Sequence, residues 1–169
     1  MTIKDDLLSD DAAMISKGLA ELDAELRKRR DRSDLLDILA GLCASGDPET
    51  VRNVTWCAAK MGQNKVNDPR IVILLTGMAG SGDAQIRENA AWGIGETAGT
   101  VRTDDAAMDA ISSLLGDAER DVRGMAAWAA GRFRRKCGYM AEDVKKRLNE
   151  LLNDPSEYVR EVARFALDD

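Results

Sequence analysis

The sequence predicts an all-α fold, a right-handed α-solenoid of about four helix pairs with an N-terminal capping helix. Three observations carry that expectation. Apolar residues recur at helical spacing along most of the chain, and no strand-type alternation competes. A segment with an Asp, a β-branched residue followed by Arg, and then an alanine-rich stretch occurs four times. A ring returns at the same place in each, although the 169 residues include only three Trp, two Tyr and two Phe.

The first unit, residues 1–32, stands apart. Leu7, Leu8, Ile15, Leu19, Leu22 and Leu26 form an amphipathic helical stripe with a possible break near residues 9–11. Its remaining face is charged and closes on "RKRRDR" (27–32), cations that suit a helix C-terminus. A terminal unit of a stack needs such a polar outer face. A partner-binding or dimerising helix is the alternative reading.

Residues 33–169 then divide into four units, about 33–64, 65–99, 100–136 and 137–169, forming one continuous domain. Each opens with one apolar helix pattern: "SDLLDILAGLCA", "DPRIVILLTGMAG", "DDAAMDAISSLLG" and "AEDVKKRLNELLN". Leu35, Ile38, Leu39 and Leu42 share one helix face, as do Val144, Leu148, Leu151 and Leu152. Each closes with a second helix, expected near 48–61, 83–97, 118–136 and 155–167. Ser33, Asp68, Asp105 and Asp117 are candidate N-caps, and Pro48, Pro69 and Pro155 suit a first helical turn. Gly46, Gly82 and Gly116 mark turns between paired helices. One helix pair cannot bury its own apolar side, whereas stacked pairs can.

The second helices are "DPETVRNVTWCAAKMG" (47–62), "DAQIRENAAWGIGETAG" (83–99), "DAERDVRGMAAWAAGRF" (117–133) and "DPSEYVREVARFALDD" (154–169). Arg52, Arg87, Arg123 and Arg160 follow at intervals of 35, 36 and 37 residues; Trp56, Trp92, Trp128 and Phe165 follow at 36, 36 and 37. These segments resemble HEAT repeats, in particular the short HEAT-like repeats of the bilin-lyase type, over residues 33–169. Two departures stand out: the Asp-to-Arg interval shortens to five in the first segment and four in the second, and the fourth ends before its glycine. The resemblance implies that Arg52, Arg87, Arg123 and Arg160 are structural, joined to Asp residues in a polar ladder. It further implies that the second helices line a concave face, with Trp92, Trp128 and Phe165 directed into it. Trp56 comes one residue early when counted from Arg52 but aligns when counted back from Gly62.

Helix geometry agrees. Val122, Ala126 and Ala129 fall on one face, and Trp128 lies about 200° around the helix from Ala126. Two readings remain open: the rings pack on one another along a crowded face, or they form an exposed stripe ready for a partner. On the second reading Trp56, Glu88, Asn89, Trp92, Glu96, Met125, Trp128, Arg132 and Phe165 contact the partner, with Glu161 at the rim.

Composition narrows the function. The chain contains no histidine, which removes Ser-His and Cys-His nucleophiles, His metal ligands and the commonest general base. Cys43, Cys57 and Cys137 are widely spaced without a CxxC pair, so neither a zinc site nor a disulfide framework is expected. The acidic N-terminus is unlike a signal peptide, and no apolar run approaches the roughly 20 residues of a membrane span. A cytoplasmic protein is expected, with no catalytic residue, cofactor or metal. The leading expectation is a non-enzymatic scaffold that binds a protein or peptide on its concave face. A homodimer through the exposed terminal helix is a further expectation. Nucleic-acid binding, as in HEAT-like DNA glycosylases, would use Arg132, Arg134, Arg135 and Lys136 for phosphates. The net charge of −6 opposes it. A chromophore-lyase accessory role is implied only by the bilin-lyase resemblance.

Overall fold

Polar caps and prolines set where the helices begin. In the computed structural model, which describes residues 1–102 and 105–168, the Thr2 hydroxyl accepts from the Asp5 amide and the Asp5 carboxylate accepts from the Thr2 amide, starting α1 (Ile3–Leu7). Asp11 caps α2 (Ala12–Arg27) through the Ala13 amide. A 3-10 turn at Ser33–Leu35 leads into α3 (Leu36–Cys43). Asp47, Asp68 and Asp83 cap α4 (Pro48–Gln63), α5 (Pro69–Met78) and α6 (Ala84–Thr97). The chain continues through α7 (Asp105–Leu114), α8 (Arg120–Cys137), α9 (Glu142–Leu151) and α10 (Glu157–Leu167), the last capped by Ser156. Among the described residues there are ten α-helices and no strand.

Three local expectations are corrected. The N-terminal cap is two helices and not one, divided at the break expected near residues 9–11, because Asp11 restarts the chain after α1 and α1 folds back onto α2. The buried Asp6 carboxylate pins that fold-back by pairing with Lys17 at 2.8 Å. Asp105 is the first residue of α7 and not its cap, and the residue before it lies outside the described residues, as does Asp169. Asp117 does not cap α8, which starts after Glu119; its carboxylate accepts from the Glu119 amide and from an arginine of α6.

Two layers result. The helices α4, α6, α8 and α10 pack in succession, with α2 ahead of α4 as their fifth member, while α3, α5, α7 and α9 form the other layer. Leu39, Val54, Ile71, Leu75, Ile94, Ile111, Val122, Leu148 and Val159 fill the space between. The α4–α10 layer is the more closely packed because its seams are alanine and glycine: Ala59, Ala90, Ala91, Ala126 and Ala129 are wholly buried. At Gly93 a Cβ would come within 2.5 Å of Leu75 Cδ1 and 2.9 Å of Ala59 Cβ. The helices α4, α6, α8 and α10 of this tighter layer are called the inner helices.

Candidate functional site

Two systems of side chains occupy the inner layer, one at the N-terminal ends of its helices and one along their middle. The first is a ladder of arginines. Arg87 grips Asp117 with both Nε (2.7 Å) and Nη2 (2.9 Å), and Arg123 grips Asp154 likewise at 2.8 and 3.0 Å. Each guanidinium also binds carbonyls in the turn just before its own helix: Ser81 for Arg87, Asp117 and Ala118 for Arg123. Both pairs are largely dry, with side-chain exposures of 16% and 8% for Arg87–Asp117 and 14% and 5% for Arg123–Asp154. Bidentate geometry and satisfied remaining donors are what make such burial tolerable. Arg123 holds the Asp154 carboxyl below the usual carboxylate range. For Asp117, burial alone would push the carboxyl up, but the Arg87 and Glu119 hydrogen bonds outweigh it and the net shift is downward.

The ladder weakens at both ends. Arg52 pairs with Asp83, but the arginine is 46% exposed. Arg160 reaches no carboxylate among the described residues; it donates to the carbonyls of Asp154 and Pro155. Elsewhere the ladder reaches forward by about 31 residues, as from Arg123 to Asp154, so the acidic contact expected of Arg160 is not found among the described residues.

The second system is the row of rings. Trp56 and Trp92 meet with centroids 4.9 Å apart and planes tilted by 42°. Their indole N–H groups are both engaged, Trp56 with Asp23 (2.9 Å) and Trp92 with Glu96 (3.2 Å). Trp128 packs over Gly95, where a Cβ would come within 2.7 Å of the ring. The Arg132 guanidinium stands 5.6 Å from the Trp128 centroid, and Arg135 stands 4.6 Å from that of Phe165. Arg132 also lies 3.7 Å from Glu96, and its buried Nε has no hydrogen-bond partner, so the ring face and a loose ion pair hold it.

Several expected contact residues sit elsewhere than the surface. Asn89 is 4% exposed and faces the seam: its amide donates to the Arg52 carbonyl and the Thr55 hydroxyl and accepts from Gln85. It joins α6 to α4 and is removed from the contact set, because two residues beyond Arg87 turns the side chain toward the neighbouring helix. Glu96 is nearly buried among Trp92, Lys65 and Arg132 and is not a free rim carboxylate. Trp92, Met125 and Trp128 are partly buried, Trp56 is 38% exposed and Phe165 61%. Glu88 is partly buried; burial first, and Asp121 second, raise its carboxyl above the ordinary range.

Sequence reasoning missed Asp23, Lys65 and Tyr158, and it named Arg135 only as a phosphate contact and not as the cover of Phe165. Tyr158 lies on Gly124, where a Cβ would come within 2.2 Å of its ring, and the signal was available: position 124 is glycine where the neighbouring repeat carries Glu88. Asp23 gave no signal, since it belongs to α2, which has no repeat pattern.

The HEAT-repeat family pattern matches residues 71–168. No curated protein sequence matches the chain. Among solved structures, a designed armadillo repeat protein in complex with the peptide (KR)4 superposes with a TM-score of 0.77 at 19% identity, covering 97% of this chain and 78% of that one. Computationally designed armadillo repeat proteins for modular peptide recognition give 0.75 at 18% identity, with 97% and 79% covered. An engineered protein gives 0.75 at 17% identity, with 97% and 76% covered.

Proposed function

Because the chain belongs to the HEAT-repeat family, we propose that it is a non-enzymatic scaffold that binds a protein or peptide along its inner helices. The observation that carries this reading is the Trp56–Trp92 pair: two large rings in contact on the inner layer, one of them 38% exposed, beside a hollow of about 260 Å³ between α2 and α4. Paired, partly open aromatic rings bordered by polar groups supply contact area at low entropic cost. Met125 and Phe165 extend the surface toward the C-terminus. That a neighbour of the same fold carries a peptide, (KR)4, supports an extended segment as the guest. The repeat length of about 36 residues supports the short bilin-lyase type of repeat. Three unpaired cysteines among the described residues favour a reducing compartment such as the cytosol, and no helix there is long and apolar enough to cross a membrane.

The basic run offers little to a phosphate backbone. Arg132 lies on Trp128, Arg135 on Phe165, and Arg134 donates to the carbonyls of Ala166, Leu167 and Asp168. α10 exposes Glu161 and Arg164 beside Tyr158 and Phe165, a mixed polar and aromatic surface.

The test is enrichment from an immobilised random-peptide library by the wild type and by Trp56→Ala/Trp92→Ala, with folding of both checked by circular dichroism. Enriched peptides should lose at least about tenfold in affinity for the double variant. Enriched peptides indifferent to both substitutions would overturn the proposal.

A further inference from the structure

The four recurrent rings of the inner layer, Trp56, Trp92, Trp128 and Phe165, fall into two classes. Trp128 and Phe165 each carry a guanidinium of this same chain, Arg132 and Arg135. Among the described residues no cation stands over Trp56 or Trp92. The residues at the corresponding places explain the difference. Arg132 follows Trp128 by four positions; Lys60 follows Trp56 by four but donates to Gln63 Oε1 at 2.6 Å, and Glu96 follows Trp92 by four. Arg135, which covers the ring of the following repeat, corresponds to Gln63 and Gly99 in the two earlier repeats.

The charged groups bordering the open pair are balanced. Asp23 is paired with Arg27 and also feels the charge of Lys60, and Glu96 has Lys65 and Arg132 at 3.8 and 3.7 Å. Selection there rests on ring faces more than on net charge. A guanidinium is planar and weakly hydrated and stacks on such faces better than a compact ammonium. The chain's own usage agrees: both ring-covering cations are arginines, and the lysine four residues after Trp56 donates to Gln63 and does not lie on the ring.

From this contrast we infer that the bound segment presents an arginine, whose guanidinium lies on the Trp56–Trp92 pair beside the hollow lined by Ser16, Asp23 and Asn53, as Arg132 lies on Trp128. This rests on the groove-binding reading and specifies the chemistry of its guest.

The experiment titrates the full chain with blocked octapeptides in which serine alternates with arginine, lysine or glutamate, followed by calorimetry and intrinsic tryptophan fluorescence. The arginine peptide should bind, perturb the fluorescence and exceed the lysine peptide in affinity by at least about threefold. Trp56→Ala should weaken it about tenfold. Lys60→Arg keeps the charge and every ring but supplies an internal guanidinium four residues after Trp56, and should weaken the guest severalfold without changing the melting temperature. Equal binding of the lysine or glutamate peptide, or unchanged affinity in Lys60→Arg, would overturn the inference. If a glutamate peptide binds and is lost in Trp56→Ala, the groove reading survives and only the arginine assignment falls. If none of the three binds, the arginine assignment falls and library enrichment alone decides the groove.

Discussion

The two halves of the inner layer are built from the same repeat and end in different states. In α8 and α10 the polar and aromatic groups satisfy one another: Arg123 and Asp154 form a dry bidentate pair, Trp128 is seated on Gly95 under Arg132, and Phe165 lies under Arg135. Around α4 the corresponding groups are more open: Arg52 is 46% exposed, Trp56 is partly exposed, and among the described residues no cation lies over the Trp56–Trp92 pair, although Arg87 of α6 is as dry as Arg123. A repeat thus fixes where a group stands but not whether it is already occupied. Occupancy depends on the residue four positions along the same helix, as Arg132 for Trp128, or on one near the end of the preceding inner helix, as Arg135 for Phe165.

Four measurements would break or sharpen that contrast. The largest effect is expected at the ladder. Arg123→Ala strands a carboxylate that is 5% exposed and should cost about 3–5 kcal/mol in chemical denaturation, whereas Arg52→Ala should cost less than about 1. Similar losses at the two sites would erase the distinction between the halves.

Next comes the seat of Trp128. Gly95→Ala places a Cβ within 2.7 Å of the ring and 2.9 Å of Ala129 Cα, so about 1–3 kcal/mol should be lost. In Gly41→Ala nothing lies within 4 Å, and the better helix former should add up to about 1 kcal/mol. A neutral Gly95→Ala would mean that the second half is not tightly seated.

The acid limb gives a smaller effect. Asp117 and Asp154 ionise more readily in the folded chain than in the unfolded one. Their contribution is therefore fully present above the unfolded carboxylate range, near pH 4, and is lost as pH falls through the depressed folded values. Asp154→Asn should flatten the fall in melting temperature between about pH 4 and pH 2. A profile as steep as that of the wild type would remove Asp154 from the acid response.

The smallest effect is spectroscopic. Trp56→Phe should lower acrylamide quenching more than Trp128→Phe, since Trp56 is the exposed ring and Trp128 is packed on Gly95 under Arg132. The reverse order would place the open face in the other half.

Sequence alone determined the helices, their pairing and the placement of the recurrent residues. Periodicity, Asp caps and prolines are local signals, and Asp47, Asp68 and Asp83 cap their helices by reaching only two or three residues along the chain. Repetition extended that local information across the stack, so the arginine row and the ring row were both legible. The tertiary structure decided which groups meet. Asn89 turned out to be a seam residue, Glu96 a nearly buried member of a charge network, and Trp56, one residue out of step with Arg52, the partner of Trp92. Asp23 came to hold the Trp56 indole from a helix that follows no repeat. These outcomes depend on distances of a few ångströms between helices about thirty residues apart, and small changes in how alanine and glycine seams close move a side chain from floor to seam. Helix periodicity gives a direction around one axis, and only packing against the next helix settles what stands there.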